Sequence, residues 1–200
     1  MRRWTWLGML ALLLASGLSA AAFAAPKGDW HLVNADSRLN FISIKKGNVA
    51  EVHHFNTLKG RIDDSGKVII TIDLSSVETF IDIRNQRVKD FLFETAKFPV
   101  ATISTIVEPD QFENLGIGQH ASTSTEVTLT LHGVSHKIQT GLEIFRLGKN
   151  RVLVVPTEMI LLDASAYGMG PGIDKLKELA KLDNISTAVP VNFYFTFERQ

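Results

Sequence analysis

Two arginines three residues apart, Arg84 and Arg87, sit inside "SSVETFIDIRNQRVKDFLFETAKFP", residues 75–99. On a helix that spacing puts both guanidiniums on one face. There they can clamp a carboxylate or phosphate through charge-assisted hydrogen bonds, or pair locally with Asp82 and Asp90. Phe91, Leu92 and Phe93 follow at once, and Phe98-Pro99 leads on. Two readings compete. One is a plug that sends its aromatic rings inward and ties its arginines to carboxylates and backbone; the other is an arginine that touches a ligand head group. The plug is preferred.

The other reactive residues make weaker patterns. His132 and His136 have the i, i+4 spacing of some helical metal sites, but Gly133 places a turn between them and no Glu follows the first His. Turn histidines facing solvent are expected instead. His53 and His54 are neighbours in a strand-like run, so they point to opposite faces and do not share a metal. Gly168, Gly170 and Gly172 precede a helix as phosphate loops do, yet the Gly-Lys-Ser/Thr ending is missing and Asp174 opposes an anion there. Serine, histidine and aspartate occur without a G-x-S-x-G elbow, and no carboxylate pair stands in an apolar context. No catalytic residue and no metal ligand is assigned, and the chain is read as a binding protein, not an enzyme.

The elements that must position these residues are mostly strands. Residues 1–24, "MRRWTWLGMLALLLASGLSAAAFA", have a basic start, a short apolar run and small residues at the end, the layout of a secretory leader cleaved after Ala24. The expected location is therefore periplasmic or secreted. The chain has no cysteine, which excludes disulfides, thiolate metal sites and a lipoprotein anchor. Without Arg2 and Arg3 the balance is 19 basic against 21 acidic residues, with no basic run, which speaks against nucleic acid. Residues 25–200 are expected to form one domain.

From Trp30 onward the apolar period is two. "KVIITIDL" puts Val68, Ile70, Ile72 and Leu74 on one face, "TEVTLTL" does the same with Val127, Leu129 and Leu131, and "HKIQTGLEI" with Ile138, Leu142 and Ile144. "RIDDSGK" supplies a hairpin turn. "RVLVVPTEMILLDA" is read as one long strand with Pro156 at a bulge or edge. "VPVNFYFTFER" alternates through Val191, Phe193, Phe195 and Phe197. Two segments break the pattern and are read as short helices against the barrel: roughly 83–93, with Ile83, Val88, Phe91 and Leu92 to one side, and "GIDKLKELAKLDN" after Pro171-Gly172. Long strands, short turns and no alternating helices predict an all-β antiparallel barrel in preference to a sandwich, because closure removes exposed edges. With eight strands such a barrel is just wide enough for one small ligand.

Five blocks in order resemble the YceI-like family of bacterial exported proteins: Trp30 with "DSRLNF" (36–41), "LKGRI" (58–62), "DLSSVETFIDIRNQRVKDFLFETAKFPVATI" (73–103), "LTLHGVSH" (129–136) and "AVPVNFYFTF" (188–197). The resemblance implies a lipocalin-like, eight-stranded antiparallel barrel with an apolar lumen that binds an isoprenoid-tailed or other long-chain amphiphile. On that reading the lumen is lined by Phe41, Val68, Ile70, Ile72, Phe91, Val127, Leu129, Ile138, Leu142, Phe193 and Phe195. Arg84 and Arg87 hold the closed end or meet the head group. The longer segment 168–184 forms a lid through Tyr167, Met169 and Leu176. No cofactor is expected other than a bound isoprenoid quinone or similar lipid as ligand, and a homodimer is compatible with the pattern. The rivals are a ligand-free barrel that serves as a scaffold or interaction module, and an enzyme acting on a bound lipid.

Overall fold

A computed structural model describes residues 28–199, so the leader expected over residues 1–24 lies outside the described residues. The chain passes up and down eight times and closes into an antiparallel barrel. The first pass is β1 (Trp30–Leu32) and β2 (Arg38–Lys45), the second β3 (Val49–Phe55) and β4 (Leu58–Ile62), the third β5 (Lys67–Asp73) and β6 (Val77–Glu78). Then follow β7 (Val100–Ile106), β8 (His120–Leu131), β9 (Val134–Gly148), a seventh pass of β10 (Arg151–Pro156) and β11 (Ile160–Asp163), and β12 (Ala188–Arg199). Each pass pairs with the next, and β12 closes the ring on β1 and β2. The Val68, Ile70, Ile72 face of β5 is buried, as its alternation requires.

The breaks in the first three passes lie side by side. Asn34 accepts from the Leu58 N–H at 2.6 Å and donates to the Asn56 carbonyl at 3.0 Å. Across the next boundary Asn56 N–H donates to the Ser76 carbonyl and Thr57 N–H to the Ser76 hydroxyl. The kinks thus satisfy one another's backbone groups and bend the wall without leaving orphans. The single long strand expected over "RVLVVPTEMILLDA" is instead two: pairing stops at Pro156, which has no N–H to continue a ladder, and resumes at Ile160. The turn at Asp63 follows the expectation, with the Asp63 carboxylate accepting from Ser65 and Lys67 and Gly66 at φ +79°. A Cβ on Gly66 would meet the Val107 carbonyl oxygen at 1.9 Å.

Helical segments occupy the connections. The expected helix over 83–93 is divided into α1 (Asp82–Arg87) and a π-helical turn (Val88–Leu92), whose Phe93 N–H donates to the Val88 carbonyl. The wider turn shifts the helical phase after Val88, so Val88 and Phe93 go inward while Phe91 faces outward, 40% exposed. A short α2 (Asp110–Glu113) lies between β7 and β8. The segment expected to form a lid contains α3 (Gly170–Ala180), with Pro171 in its first turn and Ile173 buried. Gly172 lies directly on the π turn: a Cβ there would meet the Phe91 carbonyl oxygen at 2.3 Å.

One end of the barrel is sealed by a cluster around Trp30. Its indole, 2% exposed, meets the buried Phe112 ring edge-on at 5.6 Å. The guanidiniums of Arg199 and Arg146 lie 4.5 and 5.4 Å from the indole, and Arg199 is ion-paired to Glu113. Such contacts add about 0.5–2 kcal/mol each to the apolar burial. Phe112→Ala removes the ring on which this seal rests and is expected to cost about 3–5 kcal/mol, read as a lower urea midpoint in an equilibrium unfolding curve.

Candidate functional site

Above the Trp30 seal the barrel encloses a cavity of about 460 Å³. That is the size of ligand pockets, well beyond the small voids of a packed core. Its wall is almost wholly aliphatic and aromatic. Phe41, Val68, Ile70, Ile72, Val127, Leu129, Ile138, Leu142, Phe193 and Phe195 all line it. Phe91 does not: the π turn carries it to the outside, and Leu92 and Phe93 take its place in the wall. Tyr167, Met169 and Leu176 from the lid segment also line the cavity, Tyr167 and Met169 deeply buried. Burial pushes the Tyr167 phenol pKa upward.

The charged groups of the lining collect at the end opposite Trp30. Glu51 on β3 takes Lys45 Nζ at 2.6 Å and Arg84 Nη1 at 2.7 Å, while Arg84 also donates to the Thr79 carbonyl. The local cluster expected among Asp82, Arg84, Arg87 and Asp90 is not the arrangement found. Asp90 accepts from Gln86, and Arg84 reaches 33 residues back, because its helix face turns to the β2–β3 hairpin. Arg87 donates to the Leu179 carbonyl at 3.4 Å and so ties α1 to the end of α3. The bond to Lys45 holds the Glu51 carboxyl below the usual range, with Arg84 adding to it against the opposing effect of burial. Lys45, Glu51, Arg84 and Arg87 all line the cavity.

Ser43 and His53 share a hydrogen bond of 2.8 Å just inside this end. The pair has the reach of a nucleophile and its base. His53 Nδ1, however, is buried without a hydrogen-bond partner, so no third group orients the ring. Burial and then the nearby Arg84 charge lower the imidazole pKa to about 4. A base that weak does not match nucleophile activation near neutral pH. The arrangement suits a neutral hydrogen-bonding wall. The other histidines bind locally: His54 bonds Asn56, His132 pairs with Glu94 and lies against Phe98, and His136 bonds the Ala166 carbonyl and meets Tyr167 edge-on. Of the two expected to face solvent, His136 is exposed although bonded to Ala166, whereas His132 is tucked between Glu94 and Phe98 with its side chain 13% exposed. Among the described residues no group of three or more His, Asp or Glu converges as a metal site would require.

The polar end is what reading the chain alone misses. Its signal was present: Phe41, Ser43 and Lys45 alternate along β2, and Glu51, His53 and Phe55 along β3, so each set shares a face. Only the register, Ser43 opposite Glu51 and Phe41 opposite His53, shows that the two sets meet inside the barrel.

A family model described as the YceI-like domain matches residues 30–197. The structure of a polyisoprenoid binding domain from Saccharophagus degradans, implicated in plant cell wall breakdown, is 40% identical, with a TM-score of 0.84 over 86% of this chain and 98% of that one. BcnA of Burkholderia cenocepacia is 17% identical, with a TM-score of 0.62 over 82% and 98% of the two chains. The Campylobacter jejuni YCEI protein is 18% identical, with a TM-score of 0.50 over 74% and 84%. The last two share the fold. No curated protein matches the chain in sequence. With a domain match that spans nearly every described residue, the chain belongs to the YceI-like family.

Proposed function

We propose that the chain is an exported carrier that holds a long-chain isoprenoid-like amphiphile, of the quinone or polyprenol class, inside the barrel. The observation that carries this reading is the cavity itself, about 460 Å³ walled almost wholly by aliphatic and aromatic side chains with charged groups at one end only. The wall contributes through burial, at ~0.8 kcal/mol for each CH₂ taken from water. The similar domain from Saccharophagus degradans, described as polyisoprenoid binding, supports the ligand class. The leader pattern over residues 1–24 supports export to the periplasm or beyond. A scaffold with a filled interior is disfavoured by a cavity of this size. Catalysis on a bound lipid is disfavoured by the weak His53 base. Transport, storage and stress protection all follow from sequestering such a chain from water.

In this reading the head group rests at the Glu51 end, beside the neutral Ser43–His53 pair, and Arg84 and Arg87 act first as ties between α1, the β2–β3 hairpin and α3. Titration with quinones of increasing tail length tests it. Affinity is expected to rise steeply with each isoprene unit and level off once the cavity is full; affinity independent of tail length refutes a lumenal site. Leu129→Trp, which places a larger ring in the wall, is expected to bring the plateau to shorter tails while the far-ultraviolet dichroism stays unchanged.

His53 also gives the protein a pH dependence of known sign. Its pKa is about 4 folded against 6.5 unperturbed. The unfolded chain therefore binds the extra proton first, and stability present above pH 6.5 is lost as pH falls toward 4. The loss is at most ~3 kcal/mol. Urea unfolding across that window is expected to show the slope in the wild type and a smaller one in His53→Asn.

A further inference from the structure

We propose that the Arg84 end of the barrel is a membrane-docking face, on which Phe80, Ile81 and Ile83 enter the interface of a bilayer containing anionic phospholipid. The inference rests on the carrier reading and adds to it the surface at which cargo would be exchanged.

Three large apolar side chains within four residues face solvent here: Phe80, Ile81 and Ile83 are 72%, 47% and 59% exposed. Ile81 and Ile83 line the cavity as well, and so does the exposed Ala180 at the end of α3. The apolar wall of the lumen therefore runs out onto the surface at this rim. Elsewhere the exposed apolar residues, such as Ile106 and Ile117, lie outside the cavity lining. Phe80 is held outward by a built turn. Its φ is +63°, unusual for a bulky residue. Glu78 accepts from the Phe80 N–H and from Asn85, and Asn85 accepts from the Thr79 N–H and hydroxyl. A ring fixed in that way, 72% exposed with His54 tilted against it, has the form of an interfacial anchor.

Charge selects the partner. At the rim Lys45, Lys46, Arg84, Arg87 and Lys181 stand against Glu51, Glu78, Asp82 and Asp183, five cations to four carboxylates. The rest of the described chain carries 13 basic and 17 acidic residues, the opposite balance. Lys46 and Lys181 are exposed, on the β2–β3 turn and at the α3 terminus, and the Lys46 N–H donates to the Asn184 carbonyl, which joins these two segments. A second copy docking face to face would bring like charge against like. An anionic bilayer meets the cations with phosphate and takes the apolar side chains below. No helix among the described residues is long and apolar enough to cross a membrane, so contact through this rim would be peripheral.

Flotation with vesicles of phosphatidylethanolamine and phosphatidylglycerol tests the face, with phosphatidylcholine vesicles as the neutral control. The wild type is expected to float with the anionic vesicles and much less with the neutral ones. Phe80→Asn suits the left-handed backbone, because Asn adopts it readily, and is expected to lower partitioning by roughly tenfold or more. Lys46→Glu with Lys181→Glu is expected to erase the preference for anionic lipid. Neither variant alters the cavity lining, so loading of a polyprenyl quinone from detergent micelles should stay at the wild-type level. A wild type that remains in the aqueous layer, that floats equally on both lipids, or that Phe80→Asn matches overturns the proposal. A dimer in sedimentation that Phe80→Asn dissolves, without flotation, assigns the face to a second copy and overturns it too. Micelle loading is scored separately: a protein that loads but never floats loses the docking face alone, whereas one that never loads loses the carrier reading.

Discussion

Ring closure is the constraint on which the rest of this molecule depends. Once β12 pairs with β1 and β2, strand-to-strand pairing runs right around the wall, and each inward residue faces other inward residues across a lumen. Whether that lumen is solid or hollow is then a matter of side-chain volume. Here many inward positions carry Val, Leu and Ile, which reach toward the axis without meeting, and the larger rings crowd toward particular regions of the wall. The wall is apolar enough to fold and too thin to fill itself.

A hollow barrel has two ends to manage, and this chain treats them differently. The Trp30 end is filled by stacked burial, with Phe112 edge-on to the indole and Arg199 and Arg146 over it. The other end is covered by helices that bury Val88, Phe93, Met169 and Ile173 beneath them and carry polar ties at the rim, Arg84 to Glu51 and Arg87 to the Leu179 carbonyl, with Gly172 close against the π turn. Packed rings resist opening because every displacement exposes apolar surface. The ion pairs and hydrogen bonds at the other rim are partly solvated and cost less to rearrange than the apolar packing beneath them. The asymmetry gives the molecule an aromatic floor at one end and a helical cover with a charged rim at the other.

The chain alone disclosed the strands and the ring because a half-buried strand must alternate, and alternation at Val68, Ile70 and Ile72 or at Val127 and Leu129 is plain to read. Most of the wall was legible for the same reason. Phe91 was misplaced because a π turn changes the phase of everything after Val88, and no local residue pattern announces it. The partner of Arg84 was misassigned to neighbours in sequence, because Glu51 becomes adjacent only through tertiary pairing. The break after Pro156 had its marker in the sequence, but a proline permits a bulge, an edge or a stop, and only the pairing with β12 decides among them. The Trp30 seal depends on residues from both ends of the chain and from α2, a combination invisible to periodicity.

The most direct test is native mass spectrometry of the protein taken from the cell that makes it, followed by solvent extraction and identification of what is released. A discrete added mass that extracts as a long-chain isoprenoid amphiphile is the result this account predicts. A bare protein that also gains no mass when offered polyprenyl quinones or polyprenols would contradict it, and would leave the cavity as a feature of the fold without a cargo.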